Sequence, residues 1–227
     1  MLLSTDYAHA VAYLDRRRLP PYVSFIERGE ARGLESFDDG HERIYVRTSD
    51  GAVVSFTKAG VERVSNSNSN TDNPFRSDWL FNPSCSTPVS EEPWHWNGIS
   101  TIRFTLRATC SNDIAISHLY ADPQTLQPVA IDGSVTDGDD AHMTVALEMR
   151  YTQVSGYTVP SEARVHAVGH GWLFWARERA DVTYRDYAFY GDETVVRRQA
   201  TGAANSRSSA SRSPGDRATP TSGPSRS

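Results

Sequence analysis

The residues that could carry chemistry in this chain are its histidines, carboxylates and one aromatic cluster. There are seven histidines, and His166 and His170 stand four apart, a spacing that brings two ligands to one metal on a helix. They fall in a strand-like run, however, where i and i+4 share a face but stand roughly 13 Å apart, too far to hold one ion together. No HExxH, CxxC or His-rich cluster is present. Asp137, Asp139 and Asp140 crowd one turn with Asp132 nearby, but the Gly and Glu spacing of an EF-hand is missing, so they read as an acidic hairpin tip.

Nucleophilic catalysis finds no Gly-x-Ser-x-Gly elbow, and phosphate binding finds no Walker loop or Gly-x-Gly-x-x-Gly. Gly169-His170-Gly171 reads as a tight turn between strands. Paired acids for glycoside chemistry meet only in three dimensions, which keeps a hydrolase with a dispersed site as one alternative. The expectation is a protein that is not an enzyme and uses no cofactor and no metal. Trp94-His95-Trp96 is the sharper feature: aromatics on a loop stack on sugars or bases, cover an apolar ligand, or anchor the loop to a core. Without basic neighbours, base stacking has little support.

The elements that must position these residues are mostly strands. Ser4, Thr5 or Asp6 can cap a first helix whose apolar side carries Ala8, Val11, Ala12 and Leu14, and Pro20-Pro21 stop it. Arg16-Arg17-Arg18 then suits the negative end of the helix dipole better than a recognition patch. Beyond the prolines the period changes to two. Tyr22 to Arg32 opens the series, and Ile44-Tyr45-Val46 and Val53-Val54-Ser55-Phe56 are joined across Ser49-Asp50-Gly51, a strong hairpin signal. Ile102, Phe104, Leu106 and Ala108 alternate with polar residues, as do Met143, Val145, Leu147, Met149 and Tyr151, so each strand has one dry and one wet face. Ile114 to Tyr120 and Leu126 to Val135 add two strands, with turns at Asp122-Pro123 and Asp137-Gly138. Ala163 to Gly169, Trp172 to Arg179 and Val182 to Tyr190 complete about ten.

The predicted fold is mainly β (α+β): a curved antiparallel sheet or incomplete up-and-down β-barrel with an N-terminal helix and a loop or helix lid. Residues 1–199 make one β-rich domain, with a flexible insertion around 64–98 whose aromatic part lies against the sheet as a flap or short helix. Residues 200–227 are a Ser/Arg/Pro tail with no aliphatic or aromatic anchor beyond alanine, predicted to be disordered.

The formal net charge of −5 includes Arg207, Arg212, Arg217 and Arg226 in that tail, so the folded part is more acidic than the average. An acidic body excludes a dedicated nucleic-acid surface. Four scattered arginines allow at most a weak peripheral contact with an anionic membrane surface. No run of 18 apolar residues exists. Nor does the N-terminus show the apolar core of a signal peptide; the chain is cytoplasmic, or it begins downstream of a removed leader. Cys85 and Cys110 are free thiols in a reducing compartment, whereas in an oxidising one they close a loop of about 25 residues, stabilising by roughly 3 kcal/mol. Oligomeric state is left open.

Tyr120-Ala121-Asp122-Pro123-Gln124-Thr125-Leu126-Gln127-Pro128 resembles the Tyr-x-Asp-Pro-x-Thr-x-x-Pro stretch of bacterial proteins similar to the lipoprotein carriers LolA and LolB. Val154-Ser155-Gly156-Tyr157-Thr158-Val159-Pro160-Ser161 resembles the x-x-Gly-x-x-Val-Pro-Ser segment of the same group, in the same order and spacing. The resemblance covers roughly Tyr22 to Tyr190. It implies an incomplete barrel with helices plugging its mouth, holding acyl chains, acylated proteins or other apolar ligands on the concave face, in the periplasm or cell envelope. Carried onto this chain, Phe104, Leu106, Val145, Leu147 and Met149 would contact the ligand, and Trp94 and Trp96 would close over it as a flap. The same residues would be present in a closed core. A protein-interaction module of an envelope assembly, without a small ligand, is the main alternative.

Overall fold

The computed structural model describes residues 3–32, 42–56, 61–63, 75, 85–109, 114–136, 143–171 and 174–200. The predicted tail, the Asp137-Gly138 turn with Asp139 and Asp140, and most of the 64–98 insertion lie outside the described residues. Helix α1 (Leu3–Ala12) leads into a single 3-10 turn over Arg16–Arg18, capped by Asp15, whose Oδ1 accepts from the Arg17 amide. The strands then follow as β1 (Tyr22–Arg32), β2 (Glu42–Arg47), β3 (Ala52–Phe56), β4 (Val61–Arg63), β5 (Ser86–Trp96), β6 (Ile99–Ala108), β7 (Ile114–Ala121), β8 (Pro128–Thr136), β9 (Met143–Val154), β10 (Tyr157–Gly171) and β11 (Phe174–Tyr190). A second helix, α2, runs over 193–200.

Among the described residues these eleven strands form one sheet in the order β4-β3-β2-β1-β11-β10-β9-β8-β7-β6-β5, and every pairing is antiparallel. The order is two meanders joined where the last strand returns to the first, Val23 opposite Phe189. Its two ends, β4 and β5, do not pair with each other, so the sheet stays open. Tight turns set the register. Gly51 at φ +68 closes β2 onto β3, and Asn97-Gly98 (φ +48 and +81) and Ser155-Gly156 (φ +53 and +83) supply the paired left-handed residues of a two-residue hairpin turn. Between β7 and β8, the Asp122 carboxylate accepts from the Gln124 and Thr125 amides and the Thr125 hydroxyl, the Asx geometry that an Asp-Pro turn favours.

Three elements differ from the sequence reading. Residues 86–96, assigned there to a flap, form β5, an edge strand paired from Ser86–Ala108 to Trp96–Ile99. Gly169-His170-Gly171 is no turn; β10 continues through it and pairs Gly171 with Phe174. The run expected over Trp172 to Arg179, described from Phe174 onward, and the run Val182 to Tyr190 belong to one 17-residue strand, β11.

The pairs assign the two faces. Phe104, Leu119, Ile131, Met149, Ala163 and Val182 are linked across β6–β11 and point to one side, called inner here. With Val23, Phe25 and Val46 they make the main apolar core, and α1 packs its Tyr7 and Ala10 into it. Opposite, a smaller aromatic group of Tyr22, Tyr45, Phe56 and Tyr190 gathers at the β1–β3 end. Helix α2 adjoins it: Tyr190 Oη donates to Gln199 Oε1 at 3.1 Å, and Val196 is fully buried.

Candidate functional site

Two surfaces compete for function: the inner face with its cover, and the outer face of the β5–β9 region. Both follow from the alternation that puts successive side chains on opposite sides of a strand.

The inner face holds five of the seven residues selected from the sequence. Phe104 is 0 % exposed and Met149 1 %, and Leu106, Val145 and Leu147 are buried with them. Four of the five belong to the main core; Val145 lies toward the far end of β9, outside that cluster. The cover over this patch is α1. Its Tyr7 meets Phe104 edge-on, with ring centroids 5.8 Å apart. A second piece is Phe75, which packs on Phe25 at 5.7 Å and on Tyr187 at 6.4 Å. Phe75 is seated by its backbone: Arg16 Nη1 donates to its carbonyl at 2.9 Å. Gly51 leaves the space for that carbonyl, since a Cβ there would lie 2.1 Å from it.

Tyrosines give this interior an amphipathic character. Tyr187 Oη donates to the Pro160 carbonyl at 2.7 Å, and burial pushes its pKa well up. Tyr151 is 9 % exposed, and its buried hydroxyl has no hydrogen-bond partner among the described residues. Desolvation raises its pKa as well, so it stays a neutral donor at any ordinary pH. Where α1 gives way to the 3-10 turn, a cleft with a cavity volume of about 20 Å³ opens between Tyr13, Leu14, Arg16, Phe75, Tyr151 and Pro160. That volume holds about one water.

The two remaining sequence-selected residues, Trp94 and Trp96, are not on this face. Trp94 pairs with Thr101 and Trp96 with Ile99, while Phe104 pairs with Glu91, three residues from Trp94 and of the opposite parity. The tryptophans therefore stand on the outer side and cannot close over Phe104, Leu147 or Met149. The cause is the Asn97-Gly98 turn, which fixes the register and with it the face of every residue in β5. On the outer side Trp94 lies under Arg103, and Trp96 lies 6.0 Å from Tyr120 and 4.9 Å from the Arg150 guanidinium. Tyr120 Oη donates to Asp132 at 2.7 Å, and the other oxygen of Asp132 is 2.7 Å from His118 Nδ1. Burial, and then the bond to Asp132, raise the Tyr120 pKa. Arg150 continues the row between Glu148 at 2.9 Å and Glu162 at 3.0 Å, and Arg164 links Glu162 to Asp181. Asp132, which the sequence places near an acidic hairpin tip, belongs to this ladder of opposite charges.

No protein-family model matches this chain. No curated protein matches it either. Among solved structures it is similar to a DUF1329 family protein from Desulfovibrio piger ATCC 29098, at 12% identity and a TM-score of 0.42, over 85% of this chain and 98% of that one. It is also similar to MucB in complex with MucA(peri), at 9% identity and a TM-score of 0.23, over 81% of this chain and 94% of that one. Likenesses this distant carry no argument about function, which has to come from the chain's own faces.

The sequence reading missed Tyr7, Arg16, Phe75 and Tyr151 as parts of one site. Tyr151 was visible on the dry side of its strand. That α1, the 3-10 turn and Phe75 come to meet it is a tertiary fact with no sequence period.

Proposed function

We propose that this protein is a non-enzymatic binding protein that holds an apolar ligand, an acyl chain or an acylated protein, against the inner face of its sheet. The observation that carries this reading is the kind of cover the inner face has. Phe104 is sealed by α1, ten residues long, rather than by a second sheet. A helix that short is marginal alone in water and depends on the contact it makes. A ligand that offers Phe104, Leu106, Leu147 and Met149 an equivalent apolar surface can take its place, and methionine adapts to irregular shapes.

The compartment is part of the proposal. Cys85 is in a disulfide, and Cys110 is the chain's one other cysteine. Disulfides persist in oxidising surroundings, which fits a periplasmic or envelope location. Among the described residues no helix is long and apolar enough to cross a membrane.

Gentle purification of the full chain, with mass spectrometry of the small molecules that accompany it, tests the reading. A stoichiometric acylated species, lost in Leu147→Arg, supports it. A ligand-free protein that also ignores added fatty acid sinks it. The reading then in front is an interaction module, favoured by one observation: at the β5–β6 hairpin Trp94 is 38 % and Ile99 52 % exposed, an apolar edge on an otherwise charged face.

A further inference from the structure

The cleft at the end of α1 is lined by Tyr151, whose hydroxyl has no acceptor among the described residues, and by Arg16, whose guanidinium has no carboxylate partner among them. Tyr151, from β9, brings a hydroxyl that is buried without a partner among the described residues. Native interiors pair such groups with protein or with a bound molecule, and an unmatched one marks a missing acceptor. Arg16, from the 3-10 turn, donates one bond to the Phe75 carbonyl at 2.9 Å. No carboxylate among the described residues lies within ion-pair distance of it. Asp15 also lines the cleft, but its oxygens are taken by the Arg17 amide, Nε and Nη2 at 2.8 to 3.0 Å. Arg18 stands behind, over the Tyr13 ring at 5.9 Å. Of the triplet only Arg16 lines the cleft, and because Arg17 neutralises Asp15, Arg16 is the positive charge left uncompensated there.

The rest of the cleft wall is mainly apolar, apart from Thr158, whose hydroxyl accepts from Gln153 Nε2. Leu14 and Leu19 pack against the same cluster that holds Phe104, Leu147 and Met149. One small polar niche thus opens at the edge of the apolar face, the division of an amphiphile into head and chain. The niche is about 20 Å³, room for one water-sized group. A planar carboxylate can put one oxygen there and leave the other at the rim, whereas a bulky head group cannot. Guanidinium and carboxylate also match in geometry.

We propose that this cleft receives the carboxylate of a long-chain fatty acid, which accepts from the Tyr151 hydroxyl and pairs with Arg16 while its chain enters beneath α1. The assignment rests on the apolar-ligand reading above and names its ligand class. Calorimetric titration of the full chain with dodecanoate and with 1-dodecanol, each below its aggregation limit, tests it. Dodecanoate should bind at least tenfold more tightly than dodecanol. Tyr151→Phe and Arg16→Gln should each remove most of that preference while leaving dodecanol affinity in place, and Trp94→Ala, on the opposite face, should leave both affinities unchanged. Equal affinity for the two ligands in the unaltered protein overturns the head-group assignment and leaves the apolar-ligand reading standing. Failure to bind either ligand overturns both. Should Tyr151→Phe fold poorly, Arg16→Gln at the rim decides the matter: a preference that survives it refutes the carboxylate site.

Discussion

The guanidinium carbon of Arg103 lies 3.5 Å from the centre of the Trp94 ring, on the side of the sheet facing away from Phe104. The same guanidinium donates from Nε to Glu92 Oε1 at 3.1 Å, so Arg103 ties two residues of the edge strand to β6. A cation over an indole at a partly exposed site is worth about 0.5–1 kcal/mol. Arg103→Ala should therefore lower stability by about 1 kcal/mol in urea unfolding and change the Trp94 fluorescence. Because the pair stands on the outer face, binding of an apolar ligand should be untouched. Loss of ligand in Arg103→Ala or Trp94→Ala would mean that the tryptophans act as the lid after all.

Gly51 and Gly156 separate two costs that usually come together. Both sit at positive φ, +68 and +83, where an L side chain is strained by about 1–2 kcal/mol. A Cβ on Gly156 meets nothing within 4 Å, whereas one on Gly51 lies 2.1 Å from the Phe75 carbonyl oxygen and 3.0 Å from Arg16 Nη1. Gly156→Ala should show the strain alone, and Gly51→Ala a clearly larger loss as Phe75 is pushed off Phe25. Comparable denaturation midpoints for the two variants would show that Phe75 is not held at this point.

Much of the fold was legible because its signals are local. The alternation through Ile102–Ala108 and Met143–Tyr151 gives the correct faces of β6 and β9, and Asp50-Gly51 and Asp122-Pro123 mark real turns. Local signals also mark β5 and α2. Asn97-Gly98 is as strong a hairpin dipeptide as Asp50-Gly51, but the prolines and the Ser/Asn repeat before it carry loop signals of their own; Pro88 and Pro93 are tolerated because β5 is an edge strand. Helix α2 announces itself through Asp192, whose Oδ1 accepts from the Val195 amide at 2.9 Å, and through the Glu193–Arg197 pair one turn apart. The candidate site divides in the same way. Its apolar floor follows from period two, whereas the meeting of Arg16, Phe75 and Tyr151 depends on where α1, the 3-10 turn and Phe75 come to rest, which no spacing encodes.

The disulfide gives a test of how the sheet edge is secured. Cys85, which is in a disulfide, immediately precedes β5, and the chain's one other cysteine follows β6 by two residues in sequence, so a bond between the two would staple the open end of this hairpin. The Thr109 amide donates to the Cys85 carbonyl at 2.9 Å at the same end. Closing a loop of about 25 residues stabilises by roughly 3 kcal/mol. Thermal unfolding with and without a reductant should show a drop in Tm of several degrees, and the double variant Cys85→Ser/Cys110→Ser should reproduce it without reductant. A Tm indifferent to both would mean that the edge hairpin is held by the sheet alone.

Glu91 predicts how stability varies with pH. It pairs with Phe104 and so sits on the inner side of β5, near α1. Burial raises its pKa above the ordinary value of 4.5, and the negative charge of Asp6 on α1 adds to the rise. The folded chain therefore binds this proton more tightly than the unfolded chain does. Below the unfolded pKa both states are protonated and the contribution is fully present; as pH rises through the folded pKa it is lost, and α1 then covers a carboxylate facing its own Asp6. Carboxylates such as Asp50 and Asp122 act in the opposite sense, because hydrogen bonds lower their pKa and their contribution disappears as pH falls. The difference between the unaltered protein and Glu91→Gln isolates the one from the others. Urea unfolding at pH 4 and pH 7 should find Glu91→Gln the more stable at pH 7 and the gap narrowed at pH 4. A gap of the same size at both pH values, or one that widens toward acid, would show that Glu91 ionises as freely in the fold as in the unfolded chain.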